Sequence, residues 1–138
     1  MEKVLTSRAT AQGGREGHVK SDDSMIDLGL TMPGSDSSKE GTNPEQLFAA
    51  GYAACYDGAL NLMAKKSKKE IESETTAEVS LLKDPEDDGF KIAVELIVEI
   101  KGVSQDEAKE LTDKAHEFCP YSKATRGNIE VNITPKAV

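Results

Sequence analysis

Most of the signatures of common enzyme chemistry are missing from this 138-residue chain. It has no Walker phosphate loop, no GxGxxG turn, no GxSxG nucleophile elbow and no HExxH metal motif. It carries only two cysteines and two histidines. The cysteines stand too far apart for a CxxC redox motif or a metal knuckle. The histidines and cysteines are scattered over a hairpin, a helix and a helix end, so no metal site and no cofactor is expected. No apolar run reaches the ~18–20 residues of a membrane span. No charged segment followed by an apolar one opens the chain, so the reading is a cytoplasmic protein without membrane association. Basic residues are also scarce, 17 against 25 acidic ones for a net charge of −8. That balance excludes nucleic acid as a partner, since phosphates demand clustered Lys and Arg. The one basic cluster, Lys65, Lys66, Lys68 and Lys69, reads as a solvated helix end complementing the helix dipole.

What is present is an ordinary globular composition, 37% apolar and 30% charged, long enough for one domain spanning 1–138 with a real core. Val4 to Ala11 alternates like a strand. Gly13-Gly14-Arg15-Glu16-Gly17 reads as a hairpin turn, because paired glycines admit positive φ. Ser21 to Ser24 makes a second turn leading into a strand over Met25–Leu30. Pro33 to Gly41 is a polar loop. A helix then opens with Asn43 as cap, Pro44 in first position and Glu45 in the first turn. From Leu47 to Ala64 its only strongly polar residues are Asp57 and Asn61, so it is expected to be buried all round. Strands follow over Glu74–Leu82 and Phe90–Ile100, with Ile92, Val94, Leu96, Val98 and Ile100 on one face. Ser104 and Glu107 form a capping box opening a second helix. Its apolar stripe is Ala108, Leu111, Ala115 and Phe118, and Pro120 stops it. A last strand is expected over Gly127–Thr134. The order of elements predicts an α+β domain, with little sign of regular βαβ alternation.

Both cysteines sit where a thiol is chemically useful: Cys55 within the apolar helix, Cys119 at the end of the second helix. A buried cysteine among small residues is often an inert small hydrophobe. The helix gives Cys55 no dipole help, since it lies about 16 Å beyond Pro44 and the dipole effect fades within one turn. If the thiol is reactive, a cation must reach it from elsewhere. Arg15 is the candidate: either a solvated hairpin residue or, on its glycine-flanked tip, a guanidinium able to reach a pocket. Glu45 is either a plain first-turn residue or the carboxylate that orients Arg15 through a bidentate pair.

Three blocks together resemble one family. Thr42-Asn43-Pro44-Glu45-Gln46-Leu47-Phe48-Ala49-Ala50-Gly51-Tyr52-Ala53-Ala54-Cys55 resembles the central-helix signature of the organic hydroperoxide resistance (Ohr) proteins. Cys119-Pro120-Tyr121-Ser122-Lys123-Ala124-Thr125-Arg126-Gly127-Asn128 resembles their second signature, and Gly13 to Gly17 matches the hairpin of their catalytic arginine. The related OsmC branch shares the cysteines but not the long second block. The resemblance implies an Ohr/OsmC-like α+β fold, with curved antiparallel sheets around a buried central helix in an intertwined homodimer. It implies a thiol peroxidase, with Cys55 as peroxidatic cysteine, Cys119 as resolving cysteine, and Arg15 and Glu45 as the activating pair. Organic hydroperoxides would be the substrates and a dihydrolipoyl-type dithiol the reductant. Leu47, Phe48, Tyr52 and Phe118 would form the apolar lining that favours alkyl, aryl or lipid hydroperoxides. Tyr56-Asp57 and Lys123 depart from the family pattern, and a local adjustment is expected there. The competing reading is a non-enzymatic thiol redox sensor or binding module on the same scaffold. Finally, Glu45 and Cys55 lie about 15 Å apart along one straight helix, so a homodimer with composite sites is expected, Glu45 serving the partner's Cys55.

Overall fold

A computed structural model describes residues 1–35 and 39–138. The expected loop over 33–41 therefore lies partly outside the described residues. The chain divides into two compact units, Met1–Leu47 and Phe48–Val138. Among the described residues, no helix is long and apolar enough to cross a membrane.

The first unit is a small antiparallel sheet of β1 (Ala9–Gln12), β2 (His18–Ser21) and β3 (Asp27–Gly29), in the order β1-β2-β3. Gln12 pairs with His18 and Ala9 with Ser21, so the glycine-rich segment is the hairpin connection. Of the strand expected from Val4 to Ala11, residues 4–8 lie outside regular structure, because β2 ends at Ser21, opposite Ala9. The sheet buries little: β1 is exposed throughout, and Met25, Ile26 and Leu28 are exposed as well. Among the described residues of this unit, Leu30, whose N–H donates to the Gly17 carbonyl, is the buried hydrophobic one.

α1 (Pro44–Lys66) begins at the end of the first unit and continues through the second. The Asn43 side chain accepts from the Gln46 N–H at 2.8 Å, which is the expected N-cap. In the second unit β4 (Glu72–Asp84) and β5 (Gly89–Lys101) form a long antiparallel hairpin through an acidic turn. α2 (Gln105–Phe118) carries the full capping box, Ser104 with Glu107. α3 (Pro120–Thr125) follows at once, and β6 (Val131–Ala137) lies parallel to β5. One element is added to the expected set, and one expectation needs correction. Pro120 ends α2 but also starts α3, since a proline suits the first position of a new helix. The return of β6 through the helices makes one βαβ crossover, so this sheet is mixed and not antiparallel.

The core joins Tyr52, Tyr56 and Leu60 of α1 to Val94, Leu96, Val98 and Ile100 of β5 and to Ala108, Leu111 and Ala115 of α2. Fully burying each large aliphatic side chain contributes about 1.5–3 kcal/mol. α1 is not buried all round within this chain: Ala50, Ala54, Gly58 and Leu62 are exposed. The reason is geometric, because the core joins α1 to β5 and α2 on the opposite face.

The two departures after Cys55 are accommodated in place. The buried Tyr56 hydroxyl donates to the Thr112 carbonyl of α2 at 2.7 Å. The half-buried Asp57 carboxylate accepts from Ser73 Oγ and Thr75 Oγ1 of β4 at 2.8 and 2.9 Å. Lys123 is exposed.

Candidate active site

Each unit holds one constellation of the expected residues. In the first, residues Gly14–Glu16 form a single 3₁₀ turn that presents Arg15. Gly17 closes the turn, and only a glycine fits: a Cβ there would lie 1.8 Å from the Gln12 carbonyl oxygen. Glu16 ties the turn down, accepting from the Met32 N–H at 3.1 Å. Nothing local in the sequence signals this anchor. Arg15 Nη1 and Nη2 donate to Glu45 Oε2 and Oε1 at 2.9 and 2.7 Å, a bidentate pair. The guanidinium holds the Glu45 carboxyl below its usual range. Glu45, in the first turn of α1, is mostly covered, while Arg15 is 43% exposed. The pair is thus preorganised with an accessible cation.

In the second unit Cys55 and Cys119 are both free thiols with their sulfurs 3.7 Å apart. Cys119 is completely buried in the joint between α2 and α3. Its N–H donates to Ala115 O and its carbonyl accepts from Lys123 N–H, so the two helices fix its backbone on both sides. Cys55 is half-buried on α1. Burial pushes its thiol above the ordinary range, the Tyr121 backbone N–H pulls it down, and Cys119 adds to the rise. A thiolate here needs a positive charge brought to it.

Three aromatic rings of this unit form one cluster. Phe48 meets Tyr52 and Tyr121 edge-on at 6.1 Å, and Tyr52 meets Tyr121 at 5.6 Å. Phe48, Ile92, Pro120, Tyr121 and Ile129 line an apolar groove of about 490 Å³. Tyr121 therefore serves twice, with its ring at the groove and its N–H at the Cys55 sulfur. It is absent from the lining expected on sequence, although its place two residues after Cys119 is the signal that could have included it.

Of the four apolar residues expected to line the site, Phe48 does face the groove. Tyr52 is wholly buried, its hydroxyl bonded to Ser122 Oγ at 2.8 Å and Thr125 Oγ1 at 3.2 Å. Leu47 is half-buried at the first turn of α1. Phe118 is 44% exposed and stacks beneath the Lys66 ammonium at 5.5 Å, so it leaves the apolar stripe of α2. Thr112 occupies the buried face in its stead. Among the described residues no group of His, Cys, Asp or Glu is placed to hold a metal.

A family model described as OsmC-like protein matches residues 34–134. The chain is 53% identical over 134 residues to the organic hydroperoxide resistance protein OhrB of Bacillus subtilis (strain 168), covering 96% of this chain and 98% of that one. It is 51% identical over 135 residues to OhrA of the same organism, covering 96% of each. The crystal structure of Bacillus subtilis OhrB matches with a TM-score of 0.93 at 51% identity, over 99% of this chain and 100% of that one. An organic hydroperoxide resistance protein from Elizabethkingia anophelis matches with a TM-score of 0.92 at 46% identity, over 100% of both chains.

Proposed function

Since the chain belongs to the OsmC-like family, in its organic hydroperoxide resistance branch, we propose that it detoxifies organic hydroperoxides as a cysteine-based thiol peroxidase. The observation that carries this reading is the approach of the Cys55 and Cys119 sulfurs to 3.7 Å. Two thiols from separate helices, at that distance, can be joined by a small movement.

The proposed reaction runs in three steps. The Cys55 thiolate attacks the outer oxygen of ROOH, the O–O bond breaks, and the alkoxide takes a proton and leaves as ROH. Cys55 is then a sulfenic acid. The Cys119 sulfur attacks the Cys55 sulfur, forming the disulfide and releasing water, which protects Cys55 from irreversible oxidation. A dithiol of the dihydrolipoyl class returns both cysteines to thiols and is itself oxidised to a disulfide. Arg15, oriented by Glu45, supplies the positive charge that the burial-raised Cys55 thiol requires. Arg15 and Glu45 favour the enzyme over a non-catalytic sensor, because a binder has no need to activate a thiolate. The apolar groove beside Tyr121 takes the organic part of the substrate. The reaction belongs in the cytoplasm, where a disulfide of this kind is transient and catalytic.

The working protein is a homodimer in this reading. A three-stranded sheet with exposed Met25, Ile26 and Leu28 needs covering to be stable. The exposed Ala50, Ala54 and Gly58 of α1 let a second backbone approach closely.

Stopped-flow oxidation of the reduced protein by cumene hydroperoxide and by H₂O₂, followed by mass spectrometry, tests the proposal. Cumene hydroperoxide should react at least about tenfold faster, since burying two or three methylenes at ~0.8 kcal/mol each exceeds that factor. Wild type should form the Cys55–Cys119 disulfide, and Cys119→Ser should over-oxidise at Cys55. Equal rates for the two oxidants, or no disulfide in wild type, would refute it.

A further inference from the structure

A single hydrogen-bonded chain ties the three helices that carry or flank the two thiols. His116, on the last turn of α2, has Nδ1 2.9 Å from Ser122 Oγ of α3. Ser122 Oγ lies 2.8 Å from the Tyr52 hydroxyl of α1, and that hydroxyl lies 3.2 Å from Thr125 Oγ1. Thr125 Oγ1 also reaches back to the Ser122 carbonyl at 3.2 Å, and Arg126 Nη1 donates to the His116 carbonyl at 3.2 Å. Ser122 and Tyr52 are completely buried. His116 lies one helical turn before Cys119 and Ser122 one turn after it, while Tyr52 lies one turn before Cys55 on α1.

The donors in this chain leave little freedom. Ser122 has one hydroxyl hydrogen. With His116 neutral and Nδ1 unprotonated, Ser122 donates to Nδ1 and accepts from Tyr52. With Nδ1 protonated, His116 donates to Ser122, whose own hydrogen is then free to turn to Tyr52, and that of Tyr52 to Thr125. Either way the Ser122 and Tyr52 hydroxyls are bonded across the three helices, whereas Thr125 also has the Ser122 carbonyl of its own helix. A buried hydroxyl left without a partner is costly.

We propose that His116, acting through Ser122 and Tyr52, is a positioning residue for disulfide formation, holding the Cys119 joint against the Cys55 helix at reacting distance. This rests on the reading of Cys55 and Cys119 as a redox pair. The sulfurs must close from 3.7 Å to the roughly 2.05 Å of a bond. That movement is fast only when the two backbones are held, because loss of about 1 Å of alignment can cost up to 10²-fold. Cys119 itself supplies no polar group to the Tyr52 hydroxyl, so the register is kept by its neighbours on either side.

The test uses the full chain with His116→Leu, His116→Asn and Ser122→Ala. Asparagine places a polar atom near the position of Nδ1 and can bond Ser122, whereas leucine cannot. Three quantities are read: sulfenic acid formation after one equivalent of cumene hydroperoxide, the rate of disulfide closure, and the Cys55–Cys119 equilibrium in dithiothreitol buffers. His116→Leu and Ser122→Ala should leave sulfenic acid formation within about threefold of wild type, slow closure about tenfold, and shift the equilibrium about tenfold toward the dithiol. His116→Asn should restore closure and equilibrium to within about threefold of wild type. A role in stability alone would not move closure apart from the first step. Closure and equilibrium unchanged in both His116→Leu and Ser122→Ala would overturn the proposal, as would a His116→Asn protein no better than His116→Leu. If His116→Leu fails to fold, Ser122→Ala alone decides between the same two outcomes. The dithiothreitol equilibrium needs no peroxide, so it reads the positioning even if the peroxidase reading fails.

Discussion

Gly51 faces Tyr121 so closely that a Cβ there would lie 2.6 Å from the phenolic oxygen and 3.2 Å from the ring. The glycine sits inside α1, where alanine is the better helix former by about 0.8–1 kcal/mol. The contact outweighs that gain, because the ring must leave Phe48 and Tyr52, and aromatic pairs contribute about 0.5–1.5 kcal/mol each. Gly51→Ala should therefore destabilise the protein by about 1 kcal/mol in urea unfolding. It should also slow oxidation by organic hydroperoxides, since Tyr121 carries both the groove wall and the N–H at Cys55. A stabilised, fully active variant would show that the ring is free to swing away.

The proposed mechanism gives Arg15 and Glu45 the task of lowering the pKa of Cys55. Burial raises the thiol, so without the guanidinium little thiolate exists at neutral pH. Arg15→Ala should slow both peroxide oxidation and iodoacetamide alkylation at pH 7 at least about tenfold, the effect of one pKa unit. The lost rate should return as pH rises through the higher pKa of the variant. Arg15→Lys should also be impaired, since an ammonium cannot make the bidentate pair with Glu45. A pH profile of alkylation identical to wild type would mean that Arg15 does not act on Cys55.

His116 gives stability a pH dependence of known sign. Burial holds its pKa below the ordinary histidine value, Arg126 adds to the fall, and Asp113 and Glu117 oppose it. Tyr52 on α1 and Ser122 on α3 complete its surroundings with hydroxyl groups. Because the folded pKa is depressed, the unfolded chain binds the proton first. The stability contribution is present above the ordinary histidine pKa and is lost as pH falls toward the folded one. Wild-type Tm should therefore drop between about pH 7.5 and 5.5 more than that of His116→Asn, which cannot titrate there. Parallel Tm curves for the two proteins would rule out a depressed histidine at this position.

Local chemistry makes several elements legible in the sequence. Asn43 and Pro44 mark the start of α1 and Ser104 with Glu107 the start of α2, since a cap depends only on neighbours along the chain. The alternation of Val94 to Ile100 marks the buried face of β5 for the same reason. Tertiary choices are less legible. β6 is expected over Gly127–Thr134 but occupies Val131–Ala137, because Gly127, at positive φ, still belongs to the turn after α3. Its parallel pairing depends on the path of α2 and α3, which no alternation pattern encodes. At the site, composition and spacing leave Cys55 and Arg15 open between inert and active, and only the resemblance pairs Cys55 with Cys119. The hydroxyls of Tyr52, Ser122 and Thr125 come together from two helices, so no single stretch of sequence announces them.

Glu45 and Cys55 share α1, with about 15 Å of helical rise between them and side chains roughly 80° apart around the axis. On a straight helix the carboxylate that grips Arg15 cannot also stand at the sulfur of its own chain. A two-fold dimer packing the two α1 helices antiparallel brings Glu45 of one chain to the Cys55 level of the other. The exposed Ala50, Ala54 and Gly58 permit the close approach this requires. Mixing Glu45→Ala chains with Cys55→Ser chains checks the arrangement. If Glu45 acts in trans, a heterodimer holds one site in which an intact Glu45 serves an intact Cys55, and a second site lacking both. Peroxidase activity should then rise well above that of either variant alone, toward a quarter of wild type, since about half of randomly exchanged dimers are mixed and each has one working site. No recovery, with chain exchange confirmed by native mass spectrometry, would show that Glu45 and Arg15 serve their own chain and that α1 or the hairpin must move to bring them to Cys55.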